Sequence, residues 1–119
     1  MNEHPKLTLN MVGPVAEDVA RDYPNRAISG PDCRYADADA TVPRCLVGHV
    51  LHRLGWSVTE LRELDQTELP SASTAIYDLI DYGKIDADDK ARRFLANLQF
   101  RQDMGHKWED VINFAVGRL

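Results

Sequence analysis

The stretch Thr41 to Gly55, TVPRCLVGHVLHRLG, decides the reading of this chain. At about 100° per residue, Leu46, Val47, Val50, Leu51 and Leu54 share an arc of roughly 140°. Cys45, His49 and His52 fall within about 60° on the other side. The pattern predicts a helix with an apolar face turned to a core and a Cys/His stripe turned away from it. Pro43 suits the first turn, Thr41 or a neighbour suits the cap, and Gly55 suits a left-handed end, with Arg53 favourable to the dipole in the last turn.

Working outward, Pro14 to Asp22 reads as a first helix, with Gly13 before it and Val15 and Val19 on one face. Arg26 to Thr41 is rich in Gly, Pro, Asp and Ala, and predicts a short β-hairpin near residues 33–42. Ser57 and Glu60 signal a capped helix through Leu61 and Leu64. Ser71 to Ser73 cap a helix carrying Ile76, Leu79 and Ile80, which Gly83 closes. Asp86 opens the next helix, with Asp88 and Asp89 in its first turn and Ala91, Phe94, Leu95 and Leu98 at helical spacing up to Gly105. Trp108, Val111, Ile112, Ala115 and Leu119 form a last continuous stripe. The expected fold is a mainly α, compact, small helical bundle, a single domain over residues 1–119 with residues 1–10 as a flexible N-terminus.

Of 119 residues, 44% are hydrophobic and 28% charged, which suits one core without disulfide support. The net charge of −5 repels nucleic acid and anionic membrane on average. The first residues, MNEHPKLTLNMVG, resemble neither a signal peptide nor an anchor, and no run approaches about 20 apolar residues. The expectation is a cytoplasmic protein with reduced thiols and no membrane partner.

Four site readings follow from these residues. Cys33, Cys45, His49 and His52 form a formally complete tetrahedral zinc set, although their spacing matches no standard finger; the alternatives are simple packing of the two thiols or a disulfide. Cys45 and His49, one turn apart, are the one local nucleophile–base pair, but no oxyanion-forming turn or third orienting group accompanies them, so no catalytic residue is assigned and the expectation is non-enzymatic. Val50 to Leu64 has the cadence of a helix-turn-helix DNA-binding regulator, against which Glu60, Glu63 and Asp65 outnumber Arg62 on the second helix. Trp56, directly after Gly55, and Arg62 are the candidate partner-binding residues. A homodimer is also compatible with the sequence.

The blocks CRYADADATVPRCLVGHVLHRLG and LQFRQDMGHKWEDVINFA resemble a family of small uncharacterised proteins found in actinobacteria and their bacteriophages. The shared features are Cys45-Leu46-Val47-Gly48 at a helix start and the Asp103 to Trp108 segment. The resemblance implies a phage or prophage accessory protein that binds a host protein in the bacterial cytoplasm, with no cofactor or catalytic residue to carry over. Gly48 lies between the apolar arc and the Cys/His stripe, where a missing side chain lets another element approach closely. Gly48→Leu is therefore expected to overpack the fold.

Overall fold

The computed structural model describes residues 4–28, 34–37, 39 and 41–117. Among them are α1 (Leu9–Asp22), α2 (Leu46–Arg53), α3 (Val58–Asp65), α4 (Ile76–Asp81), α5 (Asp89–Asp103) and α6 (Trp108–Val116). The radius of gyration is 12.9 Å, near the ~13.5 Å expected of a folded chain this long. The mainly α bundle expected from the sequence is what forms. No helix among the described residues is long and apolar enough to cross a membrane.

α2 touches α1, α3 and α5. It begins at Leu46, five residues later than Thr41, because the residues before it are used otherwise. Asp37 accepts from the Thr41 N–H at 2.7 Å and the Thr41 hydroxyl at 2.8 Å. Pro43 pairs with Ala36 in an antiparallel bridge. Bonds from Asp37 N–H to Val42 O, Arg44 N–H to Tyr35 O and Cys45 N–H to Arg34 O, each 3.0 Å, complete a hairpin-like ladder. The expected hairpin is thus present as one bridge; Cys33 lies outside the described residues.

The cap of α2 is Cys45, whose Sγ accepts from the Gly48 N–H at 3.2 Å. The buried Gln102 of α5 accepts the Leu46 N–H at 2.8 Å. Two of the four N-terminal donors that a helix leaves open are met by these side chains. Across the ladder, Asp65 of α3 accepts the N–H groups of Tyr35 at 2.8 Å and Ala36 at 3.1 Å. Tyr35 carries its hydroxyl into the core, donating to Thr74 O at 2.5 Å and accepting from Gln99 at 3.0 Å. The ladder is therefore bolted to α2, α3 and α5 together.

α1 starts at Leu9 rather than Pro14. Pro14 lacks the N–H that would bond the Asn10 carbonyl, and both residues are exposed, so the defect sits on the solvent side. Gly13 lies inside the helix and is buried. Of residues 1–10, expected as a flexible N-terminus, the described residues 4–10 include a strap tied down at Leu7. Leu7 is 1% exposed, its N–H donates to Asp86 O at 2.8 Å, and its carbonyl accepts from Asp88 N–H at 3.0 Å.

Ser57 and Glu60 form a full capping box on α3, as their spacing indicates. α5 opens later than Asp86: residues 86–88 pair with the strap at Leu7, and Asp88 is the cap, accepting the Ala91 N–H at 2.8 Å. α4 starts later than its serines suggest, at Ile76. Ser73 accepts only the Ala75 N–H, and Gln99 takes the Ile76 N–H at 2.7 Å. The α6 stripe Trp108, Val111, Ile112 and Ala115 is buried as expected; Leu119 lies outside the described residues.

Candidate functional site

Two glycine-ended helices frame a cleft. Gly55, at φ +109°, ends α2. Trp56 N–H reaches back to Leu51 O and Gly55 N–H to His52 O, the double bond pattern of a Schellman turn. Gly83, at φ +77°, ends α4 in the same way, with Lys84 N–H on Leu79 O and Gly83 N–H on Ile80 O. The first turn delivers Trp56 and the second delivers Lys84 and Ile85 to opposite walls of a cleft of about 550 Å3. Glu60 and Glu63 of α3 line one side and Asp86 the other.

The N-terminal strap crosses this cleft. Leu7 bridges to Ala87 in parallel register, and three residues before it His4 lies flat on Trp56, ring centroids 4.0 Å apart and planes 8° from parallel. His4 Nε2 is 2.7 Å from Glu60 Oε2. Glu60 Oε1 accepts the Ser57 N–H at 2.8 Å, so one carboxylate serves the cap and the histidine together. Trp56 is 8% exposed, and its indole N–H is buried without a partner.

Each residue marked from sequence has a definite place. Trp56 lies at the edge of the core, because the Schellman turn folds it back and His4 covers its face. Arg62 lines a different depression, of about 250 Å3, with Arg34, Asp37, Asp65 and Thr74. Trp56 and Arg62 do not share one surface.

The Cys/His stripe does not converge, a correction that follows from the late start of α2. Cys45 stands at the cap and is 1% exposed, its sulfur engaged by Gly48. His49 is 8% exposed and packs on Trp108 at 5.4 Å and Tyr23 at 5.1 Å. His52 is exposed, with Nδ1 2.9 Å from Trp56 O. Among the described residues no three His, Cys, Asp or Glu side chains gather as a metal-holding group, and Cys33 lies outside them. The buried face of α2 runs through Leu46, Val47, Gly48, His49, Val50 and Leu51, so the face opposite the aliphatic arc is packed as well.

Around His49 the aromatic cluster is closed by Arg26, whose guanidinium lies 4.0 Å from the Tyr23 ring centre and 5.3 Å from that of Trp108. Arg26 Nη1 is 3.4 Å from His49 Nε2, the arrangement of a guanidinium donating to a neutral imidazole. Burial first, then the nearby Arg26, Arg53 and His52 charges, lower the His49 pKa to about 4.

Comparison of the chain with family models, with curated proteins and with solved structures gives no match. The candidate site therefore rests on its own geometry. Sequence reasoning reached Trp56 but not His4, which fell in the segment expected to be flexible. The available signal was Leu7, an isolated apolar residue three positions on that anchors the strap.

Proposed function

We propose that this chain is a non-enzymatic accessory protein, of phage or prophage origin, that acts in the bacterial cytoplasm by docking a host protein. The observation that carries the reading is the cleft at Trp56, whose Trp wall is set among Glu60, Glu63 and Asp86. Trp is enriched among residues that dominate binding energy. The charges favour the same direction. α3 presents Glu60 and Glu63 at the cleft, a surface suited to a basic protein segment and repelled by phosphates.

The test is site-specific photo-cross-linking in actinobacterial cells. With benzoylphenylalanine in place of Thr59, at the cleft, one dominant host-protein adduct is expected. The same group in place of Asn113, which lines a different groove between α1 and α6, is expected to give no such adduct. Equal adducts from both positions, or none from Thr59, would overturn the reading.

A further inference from the structure

We propose, building on that docking reading, that the Trp56 shelf recognises an arginine side chain of the partner and that His4 is the chain's own stand-in for it. A guanidinium is planar, permanently charged, stacks on an indole face, and offers edge N–H groups that fit a carboxylate. The structure already holds a planar nitrogen ring in that posture. His4 lies parallel to Trp56 at 4.0 Å, with an edge nitrogen 2.7 Å from Glu60 Oε2.

The carboxylate is oriented by its cap. Ser57 N–H holds Glu60 Oε1 at 2.8 Å, with Oε2 at 2.7 Å from His4 Nε2. Glu63 lies one turn further along α3, and Asp86 faces it across the cleft. Against these three carboxylates the lining carries Lys84 and His4, while Lys6 sits 4.0 Å from Asp86. At about 550 Å3 the cleft has room for more than one side chain, so the residues flanking the arginine enter with it.

His4 can leave without unfolding the strap. The strap is held at Leu7 by its two backbone bonds to Asp86 and Asp88, and the ring swings aside about the two residues between, Pro5 and Lys6. Arginine and His4 then compete for one place, and removing His4 strengthens the incoming ligand.

The test uses the full chain and the indole N–H resonance of Trp56, titrated with acetyl-Gly-Arg-Gly-amide and with its citrulline counterpart, a neutral analogue of the same shape. His4→Ala is expected to bind the arginine peptide at least tenfold more tightly than the unmodified chain, with no response to citrulline. Adding Glu60→Gln, which keeps an acceptor for the cap, is expected to remove at least tenfold of that gain. Glu63→Gln, outside the capping box, is expected to weaken binding several-fold with unchanged melting. An indole resonance unmoved by millimolar arginine peptide in His4→Ala, or moved equally by citrulline, would overturn the proposal. A Thr59 adduct without an arginine response removes the arginine reading alone, whereas an arginine response without any adduct removes host docking.

Discussion

Gly48→Ala is expected to destabilise the fold by about 3 kcal/mol, lowering Tm by roughly 10 °C. A Cβ built at Gly48 meets the Tyr35 carbonyl oxygen at 2.2 Å, and the Tyr35 C and Cα atoms at 3.0 Å. The obstacle is backbone, and that backbone has little freedom to retreat. Tyr35 O accepts from Arg44 N–H, Tyr35 N–H donates to Asp65, and the Tyr35 side chain is locked between Thr74 and Gln99. Helix propensity alone gives the opposite sign, a gain of about 1 kcal/mol for Ala over Gly inside a helix. Thermal unfolding of the variant thus separates the two effects by direction, and an unchanged or raised Tm would contradict the close approach. Gly48→Leu, larger still, is expected to cost more.

Acidification is expected to cost about 2 kcal/mol through His49, after solvent screening is allowed for. Its folded pKa of about 4 lies below its ordinary value of 6.5. The folded state holds the neutral ring, so this contribution is fully present above about pH 6.5, falls as pH drops through the interval, and levels off below 4. Asp65, whose pKa burial raises despite its two backbone donors, runs the other way and offsets part of the loss near the acid end. Asp37 and Asp81, lowered chiefly by the Thr41 hydroxyl and by Arg92, add their losses as pH falls from the usual carboxylate range towards their lowered values. Urea unfolding from pH 7 to 4 reads the total, and the His49 Cε1 proton should titrate with a midpoint near 4. A midpoint near 6.5 would contradict the closed cluster of Tyr23, Arg26 and Trp108.

What the sequence made legible is what local chemistry decides. Ser57 with Glu60, Gly55 and Gly83 mark helix ends through short-range hydrogen bonds and stand where they were read, while the cap of α5 is Asp88 rather than Asp86. The α6 stripe and the value of a bare Cα at Gly48 were legible for the same reason, as consequences of helical period and volume. The start of α2 was not. Thr41 and Pro43 look like a cap and a first turn, but Asp37 and Ala36, several residues upstream, claim them for the hairpin. Cys45, a rare cap, then takes the position they leave.

That displacement also dissolved the Cys/His stripe. A wheel drawn from Thr41 treats Cys45 as a helical residue, whereas the cap has extended backbone and turns its sulfur onto the first turn. His49, on the face opposite the aliphatic arc, could face solvent or a neighbouring helix. Tyr23 and Trp108, 26 and 59 positions away, bury it, and nothing in a local window reports that contact. The pairing of His4 with Trp56 is likewise non-local, set by a strap whose register is fixed at Asp86 and Asp88.

The Cys45–Gly48 pair thus serves the fold, seating the hairpin on α2, and docking is assigned to the cleft at Trp56. The most direct measurement is the native mass spectrum of the tagged chain recovered gently from an actinobacterial lysate, compared with Glu63→Lys. The account predicts a stoichiometric complex with one host protein for the unmodified chain, and its loss in the variant with melting unchanged. A complex that survives Glu63→Lys intact, or an unmodified chain that emerges without a partner, would contradict it.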